Sequence, residues 1–142
     1  MRELIGKKIV AAYLNSEKTQ IGFDLEGGER LLYETTGDCC SYSWIEDVSN
    51  EEYLAGARVV DVQDVHVEGI GVAESGDDYI QCYGVTVVLE GRPAFLLEYR
   101  NSSNGYYGGS IERAKVVEEE WRKLLEIVEF CRLIHCQKVQ EC

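Results

Sequence analysis

The chain is short of positive charge, of histidine and of proline, and it has no long apolar run. Fourteen Lys and Arg stand against 26 Asp and Glu, a formal net charge of -12, in 142 residues. Binding to nucleic acid draws on many Lys and Arg contacts to phosphates, so this balance excludes a broad electrostatic grip on DNA or RNA. Such an acidic surface either keeps the protein soluble or imitates nucleic acid and occupies a basic protein. No apolar stretch approaches the roughly 20 residues that span a bilayer, which argues against a membrane protein. The start, MRELIGKKIV, lacks the apolar core and cleavage site of a signal peptide. We therefore expect a cytoplasmic protein whose six cysteines are thiols rather than a disulfide framework. With 142 residues and no long repeat or low-complexity tract, a single domain with its own core is expected.

The scarcity of histidine limits the chemistry. Cys39 and Cys40 lie side by side in GDCCSYSW, residues 37 to 44, but a nucleophilic cysteine needs a nearby base. Only His66 and His135 are available. Zinc sites usually present Cys-x2-Cys or comparable Cys/His spacings, and Cys39, Cys40, Cys82, Cys131, His135, Cys136 and Cys142 do not show them. We expect no metal, no cofactor and no catalytic residue. The favoured reading of GDCCS is a structured turn: Gly37 permits positive φ, Asp38 and Ser41 bond backbone NH groups, and cysteine packs as a small apolar residue. A small anion-binding nest is the alternative.

Alternating apolar positions dominate the first 112 residues. KIVAAYL (8 to 14) and TQIGFDL (19 to 25) flank the polar NSEK as a hairpin, and Gly27-Gly28-Glu29 turns into RLLYETT, a third meandering strand. SWIEDV packs Trp44, Ile45 and Val48, and NEEYLAG forms a helical turn with Asn50 as N-cap. In RVVDVQDVHVEG the valines slip phase, which predicts a bulge near Gln63-Asp64. YIQCYGVTVVLE and AFLLEYRN form a hairpin across Gly91-Arg92-Pro93, with Phe95, Leu97 and Tyr99 on one face and Leu96, Glu98 and Arg100 on the other. Residues 106 to 112 add an edge strand.

From Lys115 the period becomes helical. Val117, Trp121, Leu124, Val128, Cys131 and His135 form one apolar stripe, with Glu118-Arg122 and Glu119-Lys123 as i,i+4 pairs. The expected fold is α+β: one domain, an antiparallel β-meander over 1–112 followed by a long amphipathic helix over 115–138. Such a helix exceeds what a small sheet needs for cover, so its stripe either packs on its own chain or meets another subunit.

EYRNSSNGYYGGS, residues 98 to 110, is the richest stretch for recognition. Arg100, Asn101, Ser102, Ser103, Asn104, Tyr106 and Tyr107 offer donors, acceptors and flat rings, and its glycines let backbone approach a ligand. The same residues also make ordinary hairpins.

The GKKI start, the GDCCSYSWIE loop and the YRNSSNGYYGGS stretch resemble a small phage domain family, and within it the phage-encoded anti-Thoeris sponge proteins. The resemblance covers residues 5 to 112 and extends to the C-terminal segment in character only. It implies an anti-defence protein that binds a cyclic ADP-ribose isomer made by a bacterial TIR enzyme and silences the effector without cleaving the signal. It also implies a homo-oligomer with pockets between subunits, separate pockets for cyclic oligonucleotides in some relatives, and a site of action in the infected host's cytoplasm. Carried to this chain, it implies Phe95 as adenine stacker, Asn104 for polar contacts and Arg122 for phosphate, with Arg100 and Arg113 as alternatives. The competing classes are an acidic inhibitor that binds a protein of the immune system and a hydrolase of the same signal.

Overall fold

The computed structural model describes residues 1–38, 40–72, 79–103 and 108–127, without the side chains of 66–72. Nine strands form in chain order: β1 Ile9–Asn15, β2 Gln20–Leu25, β3 Arg30–Gly37, β4 Tyr42–Ser49, β5 Val59–Val72, β6 Tyr79–Leu89, β7 Phe95–Ser103, β8 Gly109–Ala114 and β9 Leu124–Glu126. They build two antiparallel sheets, of order β8-β3-β2-β1-β9 and β4-β7-β6-β5. One buried cluster draws on the inner faces of both: Ile9, Ile21, Phe23 and Tyr33 from the first, Ile45, Val62, Val87, Phe95 and Leu97 from the second. This is the packing that period-2 strands require when each has one apolar face.

The meander is as the alternation predicts. β1 and β2 pair through Tyr13 and Gly22, and β2 and β3 through Ile21 and Tyr33. In β7 Phe95, Leu97 and Tyr99 are buried together with Asn101 and Ser103, with Leu96, Glu98 and Arg100 on the opposite face. Residues 109 to 114 form the edge strand beside β3. Ile45 and Val48 both point inward because a register shift between Ile45 and Asp47 converts their three-residue spacing to a common face; Trp44 is turned to the other side, where it stacks on Tyr42 with ring centroids 5.7 Å apart.

Three expectations are corrected. The bulge predicted near Gln63-Asp64 is absent: Gln63 pairs with Thr86 and Asp64 with Val85, while the shifts fall between Val59 and Asp61 and between Val67 and Gly71. Val62 is buried and Val65 is exposed, so these valines serve opposite faces and need no slip. Asn50 precedes the 3-10 turn Glu51–Tyr53 but does not cap it with its side chain; with φ at 64° it turns away and donates from Nδ2 to the Ala94 carbonyl.

The third correction concerns fold class. Across 115–127 there is no long helix: α1 is the single turn Glu118–Trp121, followed by β9, so the described chain is nearly all β rather than α+β. The remainder of the predicted 115–138 helix, with Val128, Cys131 and His135, lies outside the described residues. Tertiary contacts override the helical period here. β1 offers an open edge, which β9 occupies through Tyr13–Glu126, Leu14–Leu125 and Asn15–Leu124. Trp121 lies over the outer face of the first sheet above Gly22, where an added Cβ would stand 2.8 Å from the indole. Its ring meets Tyr13 edge-on at 5.5 Å and carries the Arg30 guanidinium at 5.0 Å. Residues 115–123 thus form a strap from β8 at one edge of the sheet to β9 at the other. Glu118, expected to pair with Arg122, instead bridges Arg30 at 3.2 Å. No helix among the described residues is long and apolar enough to cross a membrane.

Candidate functional site

The topology brings the two motif stretches together. The chain leaves the first sheet through GDCCS, between β3 and β4, and returns to it between β7 and β8. Since β3 pairs with β8 and β4 with β7, the two crossings lie side by side. Gly37 and Gly109 are register partners at this corner. The Asp38 carboxylate accepts from the Gly108 N–H at 3.5 Å, and the Asp38 N–H donates to the Gly108 carbonyl at 3.4 Å.

The described residues of GDCCS form a structured turn, but the expected packing of cysteine is corrected: Cys40 is exposed, and Cys39 lies outside the described residues. The Ser41 N–H and hydroxyl both donate to the Asp38 carbonyl, at 3.0 and 2.7 Å. The left-handed position is Cys40, with φ of 68°, rather than Gly37. Gly37 is small for another reason: a Cβ there would stand 3.0 Å from Asn101 Nδ2 and overlap Ser41 Oγ. A Cβ on Gly109 would stand 2.9 Å from Asn101 Cβ. Both glycines make room for one buried amide.

Asn101 on β7 is that amide. It is fully buried, donating from Nδ2 to Ser43 Oγ at 2.8 Å and to Ser41 Oγ at 3.2 Å. Ser43 in turn donates to the Thr36 carbonyl at 2.9 Å, and the Thr36 and Ser110 hydroxyls meet at 2.6 Å. Asn101 Oδ1 is buried and has no hydrogen-bond partner among the described residues. A buried acceptor left in this state costs about 1–3 kcal/mol, which a purely structural corner could avoid with an apolar residue. Beneath it Tyr83 and Tyr99 stack with ring centroids 5.0 Å apart, and the Gly109 N–H reaches Tyr83 Oη at 3.4 Å. Burial, followed by the Asp64 charge, pushes the Tyr99 hydroxyl up to about 12.

The residues proposed from sequence separate into groups. Phe95 is 0% exposed inside the core, so the stacking role is corrected: its ring has no face open to a ligand. Arg100 lies on the outer face of the second sheet opposite Trp44, held by Glu98 at 3.2 Å and Glu46 at 3.6 Å. Partial burial works against its charge, but the Glu98 hydrogen bonds and the Glu46 and Glu98 charges outweigh this and raise its pKa. Arg113 is exposed on β8 opposite Tyr33, and Arg122 is exposed just after α1. Asn104, Tyr106 and Tyr107 lie outside the described residues. Asn101 therefore joins the GDCCS turn, whereas Phe95 and Arg122 belong to different parts of the molecule.

Reading the sequence missed Ser43, Arg30, Lys115 and the Gly37–Gly109 pair. Arg30, Arg113 and Lys115 line one cavity of about 570 Å³ with Ala114 and Val116. Arg30 and Lys115 are 85 positions apart, and only the pairing of β3 with β8 reveals their proximity. Among the described residues no group of three or more His, Cys, Asp or Glu could hold a metal ion.

No curated protein and no solved structure matches the chain. Residues 2–113 match the family described as Domain of unknown function (DUF7448), and the chain belongs to that family.

Proposed function

We propose that this protein is a phage anti-defence protein that sequesters a cyclic ADP-ribose-type signalling molecule and holds it intact, so that the effector is not activated. The observation that carries the reading is the paired sheet crossing. There GDCCS and the RNSS and GGS ends of the second motif interlock through Asn101, Ser41, Ser43 and the Asp38–Gly108 bonds. This corner fixes Ser103 and Gly108, the described residues on either side of the stretch that carries Asn104, Tyr106 and Tyr107. A recognition site carried on fixed strands loses less entropy on binding than a free segment.

The ligand fits the donor set: Asn and Ser for ribose and adenine edges and Tyr rings for stacking, with Arg100, Arg113 or Arg122, which stand elsewhere on the chain, reaching the phosphates only in a pocket shared between subunits. Capture at micromolar concentration needs about 8 kcal/mol. Pockets shared between subunits would supply part of that by burial. The exposed apolar side chains of Val10, Val60, Val65, Leu96 and Leu125 support self-association.

The test is calorimetry with cyclic ADP-ribose isomers and cyclic oligonucleotides, then heat denaturation and analysis of the released ligand. Tight binding with intact ligand recovered is expected. A converted product would make the protein a hydrolase. Failure to bind any of the panel would overturn the reading and direct attention to a protein partner of the acidic surface.

A further inference from the structure

From the cavity bounded by Arg30, Arg113, Ala114, Lys115 and Val116, we infer that the protein binds a small phosphate-bearing ligand at the C-terminal end of β8, against the strap. This rests on the preceding reading in the choice of a phosphorylated ligand and shares Arg113 with it; Arg30 and Lys115 are a separate cluster from the crossover corner.

Three cations converge on one cavity in a chain of net charge -12. Elsewhere on the surface Lys7 is neutralised by Glu29 at 3.1 Å. Arg113 and Lys115 instead form no ion pair among the described residues. Both are exposed, so no burial requirement explains their position. The cavity, about 570 Å³, lies in the range of small-molecule sites.

Arg30 supplies the fixed element. Its Nε is 3.3 Å from Asp24, its Nη1 is 3.2 Å from Glu118, and its guanidinium plane is held 5.0 Å over Trp121. A guanidinium held in this way presents its remaining N–H groups in a planar fork suited to phosphate oxygens. Arg113 and Lys115 add charge from the other side, and Val116 gives an apolar wall. The ligand's phosphate competes with Glu118 for Arg30, so binding perturbs the Arg30–Trp121 contact and reports itself through the indole.

The experiment titrates sodium pyrophosphate, ADP and adenosine into wild type and into R113A/K115A by calorimetry. Tryptophan emission is followed in a W44F background, which leaves Trp121 as the sole tryptophan. Pyrophosphate and ADP are expected to bind with a change in Trp121 emission, and adenosine not to. The double variant should bind at least about tenfold more weakly, as charged hydrogen bonds of this kind imply. Both replaced residues are exposed, and an unchanged thermal melt verifies the fold. Absence of anion binding, or equal binding by the double variant, would overturn the inference. If pyrophosphate binds but no cyclic ADP-ribose isomer does, the site stands and the preceding reading falls. If an isomer binds wild type and R113A/K115A equally and pyrophosphate binds neither, the preceding reading stands and this site falls.

Discussion

The two ends of β8 solve opposite problems. At Gly109 the strand enters a neutral, closed corner in which glycine, serine and threonine surround a buried amide whose carbonyl oxygen has no partner among the described residues. At Arg113 and Ala114 it opens on a cationic cavity bordered by the first residues of the strap, Lys115 and Val116. Four residues of strand, about 13 Å, separate them. The first end gains its rigidity from close packing and is intolerant of added volume. The second is assembled from long side chains that tolerate substitution but set the local potential. Stability is therefore expected to respond mainly to changes at the corner and under Trp121, and anion binding mainly to changes in the cations.

The largest effect tests whether the strap is part of the fold. Trp121 is 8% exposed and covers Gly22, so W121A should cost about 3–5 kcal/mol, as aromatic-to-alanine changes in cores do. Chemical denaturation measures it. G22V attacks the same contact from below, and the double variant should cost clearly less than the sum of the two, because they share one interface. Additive losses would mean that Trp121 is held by something other than the sheet.

A smaller loss is expected at the corner. G109A places a methyl group against Asn101 and Ser43, and overpacking of this kind costs about 1–3 kcal/mol. The equivalent insertion at Gly27, where a Cβ would meet nothing within 4 Å but φ is 95°, separates steric overlap from backbone strain. G27A should lose stability through strain alone; if G109A, which carries no such strain, costs nothing, the corner is not specially packed.

High pH provides a third comparison. Burial, with the hydrogen bond to Asp24 and its charge, pushes the Tyr13 hydroxyl up to about 12, and burial does the same at Tyr99. Both folded values exceed the ordinary value of 10.0. Above 10 the unfolded chain therefore loses these protons while the folded chain keeps them. Their contribution is present below pH 10 and is lost as pH rises from 10 to 12, by roughly 2 kcal/mol at buried Tyr99 and by less at Tyr13, whose partial exposure lets solvent screen the charge. Y99F should flatten the fall in thermal stability between pH 10 and 12; an unchanged profile would show that Tyr99 ionises freely.

How far the sequence could be read follows from the range of each signal. The alternation of Phe95, Leu97 and Tyr99 and the turns at Gly27-Gly28 and Gly91-Arg92-Pro93 are local, and they give the strands. The strap is not local. Trp121 and Leu124 satisfy a helical period, yet one is captured by Gly22 and the other by the edge of β1, about 100 positions earlier, where no periodicity can point. The site divides in the same way. Asn101 stands in a motif rich in polar residues and was legible as a candidate. Its dependence on Gly37 and Ser43 was not, and neither was the alliance of Arg30 with Lys115. Phe95 was misassigned because a phenylalanine on an alternating strand looks the same in sequence whether its face meets a core or a ligand.

The smallest stability effect sharpens the contrast most. Glu118 is largely exposed and bridges Arg30 at 3.2 Å. An exposed pair of this kind is worth about 0–1 kcal/mol, so E118Q should hardly move the denaturation midpoint. In the cationic cavity the same change removes the carboxylate that competes with an incoming phosphate for Arg30. Pyrophosphate affinity should therefore rise by about two- to fivefold at low salt, an effect that shrinks as ionic strength screens the exposed charges. Two results would break the contrast: a stability loss as large as that of G109A, which would make Glu118 structural, or a loss of affinity, which would make it a ligand rather than a competitor. A gain in affinity with unchanged stability is what an end of β8 built for charge rather than for packing requires.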